Sequence, residues 1–314
     1  MKNSLKVLCP LCASDKSFDL TKLFSSKDMP VCICKKCSLV YLNPRHSNEW
    51  YESYYKNSSL RTEDNVRRKE IALYEEKQYG TKGKSVLNFI LSNCNIEINQ
   101  MRVFEVGCTS GGILRYFKDN GAVSVAGVDP ESEYVDYGRN LSGINIYNGF
   151  LDEFCKNNKE KYNVIIMRHV VEHLFDPLIN LEYVNSLLDE NGVLFVETPS
   201  LYSLGFNSTW RKNFHVEHPV IYSNKTLGLL LKRSGFKITK EPENGNRGHL
   251  RFLVKKCKEY SEITNFEDTY YSWQNVVLKN LVYNLTTPIR KFYYQYRKRI
   301  LNMIEYTQKN KMKE

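Results

Sequence analysis

From residue 101 onward, short apolar runs alternate with stretches of helical period, and few folds accommodate that alternation. Met101–Val106, Val123–Val128, Asn163–Met167 and Gly192–Glu197 carry the near-continuous Val, Ile, Phe and Leu of strands buried on both faces. Such strands need helices on either side, so the pattern predicts an α/β domain over residues 101–257, doubly wound around a seven-stranded, mostly parallel sheet. A helix near 224–234 precedes two further strands, 236–240 and 249–255. The turn-rich Asn244-Gly245-Asn246 between them predicts an antiparallel hairpin at the sheet edge. Ahead of the sheet, residues 46–100 read as a polar helical connector, with amphipathic turns at 67–79 and 84–91.

Hydrophobic residues make up 42% of the 314, enough for a substantial core, which excludes whole-chain disorder. No run approaches the roughly 18 apolar residues of a membrane-spanning helix. Met1 to Leu8 is short, polar and twice charged, so Leu5-Lys6-Val7-Leu8-Cys9 is not expected to act as an export signal, and a cytoplasmic protein is expected. The formal charge of +10 permits nucleic acid, anionic lipid or phosphorylated substrates as partners without specifying one.

Five of the nine cysteines fall in the first 37 residues. In a reducing compartment such clustering points to a metal rather than a disulfide framework. Cys9-Pro10-Leu11-Cys12 and Cys34-Lys35-Lys36-Cys37 are two Cys-x2-Cys knuckles, 21 residues apart. Two knuckles complete the tetrahedron of a closed, structural Zn2+ site, so residues 1–45 are expected to form a small zinc ribbon. Cys32 competes as an alternative ligand.

Val103 to Gly112 reads as strand, glycine-bearing turn and helix start, where backbone can approach a ligand at the carboxyl end of the strand. Asp129, 22 residues after Gly107, is placed to bond ribose hydroxyls. A dinucleotide fingerprint would put glycine at Thr109, and Glu105 would repel a pyrophosphate. The same carboxylate suits an ammonium. On Glu105, Gly107, Gly111 and Asp129 the sequence resembles class I S-adenosylmethionine-dependent methyltransferases, from whose first motif it departs at Thr109. The resemblance implies S-adenosylmethionine as cofactor. It makes Cys108, Pro130 and Arg168 further candidate contacts, and it implies that Phe150 packs on the adenine while the Leu151 amide bonds it. Asp152 is the weaker candidate there.

The fourth strand runs into Arg168-His169-Val170-Val171-Glu172-His173, and His218 follows in His215-Val216-Glu217-His218. His169 and His173 are four apart, hence on one face if the turn is helical. With the Cys-x2-Cys pairs, Leu39 to Pro44 and Glu197-Thr198-Pro199, these segments resemble zinc-ribbon methyltransferases of deoxysugars and surface-glycan precursors, over residues 7–256. The resemblance implies a sugar or nucleotide-sugar acceptor and a histidine base. His169 is the first candidate, with Glu172, His173 and His218 as partners or alternatives. Two other enzyme readings stay open. One is an O-methyltransferase of a quinone-like or other small molecule. The other is metal assistance: quinone and small-RNA O-methyltransferases of this fold carry Glu-x-x-Glu-His for Mg2+ where this chain has His169-x-x-Glu172-His173, and an imidazole there suits Zn2+ or Mn2+ better.

Residues 258–314 read as a basic helical tail. From Pro288 to Glu314, eight Lys or Arg face two Glu, and Arg290, Lys291 and Arg297–Arg299 interleave with Phe292, Tyr293, Tyr294 and Tyr296. Such a helix can lie on an anionic membrane, which would bring the protein to the membrane's inner face. It could also bind RNA, in which case the sheet would be a degenerate scaffold; the small-molecule partner is the favoured one.

Overall fold

The computed structural model describes residues 4–21, 30–56, 64–201, 216–242 and 248–257, and only the backbone of 64–68. The expected tail at 258–314, the Asn244–Asn246 turn and His215 lie outside the described residues.

Seven strands form one sheet in the spatial order β8-β7-β6-β9-β10-β13-β12. Their ranges are β6 Arg102–Val106, β7 Ser124–Asp129, β8 Asn145–Asn148, β9 Tyr162–Arg168, β10 Leu188–Pro199, β12 Phe236–Lys240 and β13 His249–Lys256. Pairings from β8 to β10 are parallel, and β13 runs antiparallel to both its neighbours. The expected hairpin therefore exists, but only β12 is an edge strand. β13 is inserted beside β10 over seven paired residues, because Leu250 and Phe252–Val254 are as buried as any central strand.

Alternate side chains along each strand feed two cores. Val103, Val164, Ile166, Val193, Phe195 and Leu253 face one side, under α3 (Lys84–Leu91) and α4 (Gly112–Asp119). Phe104, Ile165, Met167, Leu194, Val196 and Phe252 face the other, under α7 (Pro177–Leu187) and α8 (Asn224–Arg233). Each fully buried aliphatic or aromatic side chain contributes about 1.5–3 kcal/mol, so this two-sided burial specifies the α/β layering. The remaining described α-helices are α1 (Asn48–Lys56), α2 (Asp64–Lys77), α5 (Ser132–Ser142) and α6 (Leu151–Asn157). A π-helical turn, Gln78–Gly83, joins α2 to α3.

Strand order reverses between β6 and β9, since β7 continues on one side and β10 on the other. The carboxyl ends of these two strands open the crevice in which doubly wound sheets hold ligands.

The cysteine-bearing segment adds β2 (Ser17–Asp19), β3 (Val31–Cys34) and β4 (Val40–Leu42), and β1 (Ser4–Leu5) pairs with β5 (Arg45–His46). Its sheet has the order β2-β3-β4-β11, where β11 is Val220–Ile221. Cys9, Leu11, Leu39 and Tyr41 join the same core as α7 and α8.

Candidate active site

The turn after β6 is shaped by left-handed backbone at three places: Gly107 (φ 68°), Thr109 (φ 50°) and Gly111 (φ 75°). At Gly107 a side chain is doubly excluded, because a Cβ there would stand 2.5 Å from Val170 Cγ2. Thr109 adopts the conformation a glycine would, held by its N–H donating to Asp129 Oδ2 (2.7 Å) and its hydroxyl to the Cys108 carbonyl (2.7 Å). Asp129 Oδ1 accepts from the Glu131 N–H at 2.9 Å. Burial pushes the Asp129 carboxyl up to about 7, against the pull of the Glu131 and Thr109 amides.

Glu105 lies two residues before Gly107, 3% exposed, and its Oε2 has no hydrogen-bond partner. Burial raises its carboxyl well above the ordinary range, Arg168 opposes this and Asp129 adds to it. A buried carboxylate oxygen without a donor is costly unless a ligand supplies one, and an ammonium group is the matching donor. The Cys108 side chain turns away from the crevice onto Gly127, where a Cβ would meet its Sγ at 2.6 Å. Phe150 precedes α6, its ring lies 5.0 Å from Lys56 Nζ, and Leu151 is buried behind it.

The turn is braced from outside by α5. A Cβ on Gly138 would sit 2.1 Å from the Ser110 carbonyl oxygen, which is backbone and cannot swing aside. Gly138→Ala is therefore expected to cost about 1–3 kcal/mol and to displace the turn. Urea unfolding checks the first part, and weakened S-adenosylhomocysteine binding the second. An unchanged midpoint would show that the contact is relieved elsewhere.

At the other side of the crevice, strand register assembles a charged row. Glu197 on β10 is directly paired with Arg168 on β9 and with Arg251 on β13. Arg168 Nε donates to Glu197 Oε1 at 2.8 Å, and Arg251 forms an ion pair with Glu197 Oε2. Burial alone would raise the Glu197 carboxyl, but His169 and the two guanidiniums hold it at about 2. Arg168, expected among the cofactor contacts, spends its guanidinium here and on Gln78 Oε1 (3.3 Å).

His169 and His173 do not share a face. Residue 169 is left-handed (φ 55°), its N–H bonds the Glu197 carbonyl at 2.7 Å, and the 3-10 turn spans only Val171–His173. The two histidines therefore diverge. His169 Nδ1 lies 3.2 Å from Glu172 Oε1, its Nε2 is 3.6 Å from Glu197 Oε1, and its ring meets His249 edge-on. Burial would lower its pKa, but Glu172 and Glu197 outweigh that and raise it. His173 Nδ1 lies 2.7 Å from the Tyr55 hydroxyl, and its ring meets His218 at 4.6 Å. Burial lowers the His173 pKa, with Glu172 opposing. Glu172 itself is 2% exposed and accepts from Thr198 Oγ1 at 2.9 Å; burial pushes it up, yet the histidines, His169 foremost, bring it to about 2.

Two groups of potential ligand atoms within 4.8 Å result: His169, Glu197 and His249, and Glu172, His173 and His218. His169, Glu172 and His173 do not converge as one such group among the described residues. In the first group, two guanidiniums already neutralise Glu197 and oppose a cation.

In the N-terminal module, the Sγ atoms of Cys9, Cys12, Cys34 and Cys37 all lie within 4.8 Å, with Cys9–Cys37 at 3.5 Å and Cys12–Cys34 at 3.4 Å. A Zn2+ tetrahedron with bonds of about 2.3 Å needs sulfurs roughly 3.8 Å apart. The knuckles also match in backbone. Ala13 N–H bonds the Cys9 carbonyl and Ser38 N–H the Cys34 carbonyl, and both donors are left-handed. The residues present thus fit the metal. Cys32 stands outside the four, and burial raises its thiol to about 11.

Tyr55, Gln78, His249 and Arg251 were not legible as site residues. They come from three separate segments, α1, the π-helical turn and β13, and only strand register and the packing of α1 and that turn bring them in. A family model described as a methyltransferase domain matches residues 76–241. The ubiquinone biosynthesis O-methyltransferase of Actinobacillus pleuropneumoniae serotype 7 (strain AP76) is 33% identical over 106 residues, covering 31% of this chain and 45% of that protein. Its counterpart in Glaesserella parasuis serovar 5 (strain SH0165) is 27% identical, covering 31% and 44%. The chain thus spans less than half the length of these relatives. Among solved structures, the magnesium protoporphyrin IX methyltransferase of Synechocystis PCC 6803 with bound SAH shares 16% identity at a TM-score of 0.48, covering 67% of this chain and 100% of that one. The matched segment takes in more than half of the 314 residues and contains Glu105, the glycine turn, Asp129, Arg168 and Glu197, and the chain belongs to the methyltransferase-domain family.

Proposed function

We propose that this chain transfers the methyl group of S-adenosylmethionine to a sugar or nucleotide-linked sugar, with His169 as general base and a structural Zn2+ on Cys9, Cys12, Cys34 and Cys37. The observation that carries the cofactor reading is the unpaired, buried Oε2 of Glu105 beside the left-handed glycine turn. S-adenosylmethionine supplies an electrophilic methyl carbon and carries an ammonium but no phosphate. Glu105 receives that ammonium, the amides after Gly107 approach the ligand closely, Asp129 accepts from the ribose, and Phe150 and Leu151 bound the adenine.

His169 is set up as the base. Its Nδ1 faces Glu172, so Nδ1 carries the proton. Nε2, 3.6 Å from Glu197 Oε1, is the atom that takes one from an acceptor hydroxyl or from a carbon beside a ketone once the acceptor comes between them. The Glu172 carboxylate then stabilises the imidazolium that forms, the role of the acid in a nucleophile–base–acid triad. His218 and His173, joined to Tyr55, bound the acceptor side.

The sugar acceptor rests on the resemblance of the cysteine pairs and of the His169, Glu197 and His218 segments. A quinone-like acceptor is the second reading, favoured by the names of the curated relatives. Calorimetric titration with S-adenosylhomocysteine tests the cofactor, and a Kd in the micromolar range is expected. No binding at high micromolar concentration would defeat the enzyme reading. Transfer of labelled methyl into nucleotide-sugar or quinone fractions of a cell extract separates the two acceptors. His169→Ala should abolish labelling while leaving the titration unchanged.

A further inference from the structure

The fourth strand of the cysteine module does not come from the module. β11 begins two residues after His218 and pairs antiparallel with β4, Val220 opposite Tyr41 and Ile221 opposite Val40. The Leu42 N–H donates to the Pro219 carbonyl at 2.9 Å. β4 in turn starts three residues after Cys37, and the second knuckle closes directly onto it through the Cys34 N–H to the Leu39 carbonyl (2.9 Å). Residues immediately upstream of His218 are held from α1, which follows β5. The Tyr51 hydroxyl donates to the Val216 carbonyl (2.9 Å) and the Tyr55 hydroxyl to that of Glu217 (3.4 Å). On the far side, Leu201 N–H donates to the Tyr222 carbonyl at 2.7 Å, which ties β11 to the end of β10, just past Glu197 and Thr198. Val220, Ile221 and Tyr222 are all buried.

The cofactor turn is anchored elsewhere. Gly107 N–H bonds the Val128 carbonyl, and Thr109 and Glu131 bond Asp129, all between β6 and β7 on the other half of the sheet. The two halves of the site therefore have separate supports.

We infer that the cysteine module is a positioning device for the acceptor side: metal in the four thiolates fixes β3 and β4, these register β11, and β11 sets His218 against His173 and Glu172. This rests on the proposed zinc site and on His218 as part of the reacting end. Loss of the metal should leave a chain that still binds cofactor but no longer holds the His218 segment in place. The bonds from Leu201, Tyr51 and Tyr55 hold the flanks of β11, but its own ladder is two paired residues plus one flanking bond on β4, so its register follows the order of β4.

The test uses the full chain and needs no acceptor. Metal analysis gives the zinc content. Amide hydrogen exchange is then followed before and after chelation, and in Cys37→Ser as a second route to the same loss. The inference expects about one zinc per chain, and chelation should speed exchange of the 40–42 and 220–222 amides by about tenfold or more. Exchange at 103–106 and 164–167 should stay slow, and the S-adenosylhomocysteine Kd should change less than about twofold. Re-addition of Zn2+ should restore protection. Unchanged exchange at 220–222 after zinc removal overturns the inference and leaves the zinc site standing. Loosening of the whole sheet together also overturns it, since the module would then be a general stabiliser. Absence of stoichiometric zinc removes the zinc site itself, and the inference with it.

Discussion

Glu105→Gln is expected to weaken S-adenosylhomocysteine binding about ten- to hundredfold while leaving the ligand-free protein as stable as before or more so. The two effects have one origin. In the free protein Glu105 is enclosed at 3% exposure with Oε2 unpartnered, and its carboxyl is raised well above the ordinary range by burial, with Asp129 adding and Arg168 opposing. Enclosing an acid there costs stability, because it must either stay charged without a partner or keep a proton it would lose in the unfolded chain, and the isosteric amide removes that cost. In the complex the same oxygen meets an ammonium, and a charge-assisted hydrogen bond contributes about 1.5–3 kcal/mol, or roughly one to two powers of ten in Kd. The pH dependence has a definite sign. A carboxyl with a raised folded pKa holds a proton that the ammonium must displace, so wild-type affinity should rise with pH until Glu105 is ionised. Asp129, raised to about 7, adds to the same slope. In Glu105→Gln the slope should shrink to the Asp129 part. Calorimetry between pH 5.5 and 8.5 and thermal unfolding of both ligand-free proteins measure these quantities. A variant Kd within twofold of wild type would show that Glu105 does not face the ligand.

How far the sequence anticipated this site depends on the range of the interactions involved. The glycine turn and Asp129 were legible because both are local consequences of a parallel strand ending in a crevice. Thr109 looked like a departure from the family pattern, yet its backbone is left-handed like the glycines around it, a conformation that the residue type hides. Apolar periodicity set the strands to within a few residues, and the turn-rich segment between the last two marked the antiparallel edge hairpin; which of its strands pairs with β10 had no local signal. The Arg168–Glu197–Arg251 row was invisible because register between strands far apart in sequence has no local signal. The expectation that His169 and His173 share a face failed for a similar reason: it assumed helix, and one left-handed residue at 169 sends the two side chains to different partners.

That divergence makes Glu172 the pivot of the reacting end, and Glu172→Gln should be the most damaging conservative change there. Glu172 Oε1 faces His169 Nδ1 and Oε2 accepts from Thr198. In the variant the amide oxygen keeps the Thr198 bond, so the NH2 group turns toward His169. Nδ1 must then accept, which moves the proton of the neutral ring to Nε2, the atom proposed to take the proton of the acceptor. General-base help of about 10²–10⁴-fold should be lost, with cofactor affinity unchanged. Stability gives an independent readout with its own sign. The Glu172 pKa is depressed to about 2, so its contribution is present above about 4.5 and disappears as pH falls toward 2. The His169 pKa is raised above 6.5, so its contribution is present below that value and is lost as pH rises through the folded pKa. Both members are charged near pH 5.5, where the variant should lose about 1.5–3 kcal/mol. The loss should be smaller at a second pH, chosen above the folded His169 midpoint. Urea unfolding at the two pH values, together with the His169 ring titration followed by NMR, measures both terms. An equal loss at both pH values, or an unmoved His169 midpoint, would separate Glu172 from His169 and remove the dyad from the mechanism.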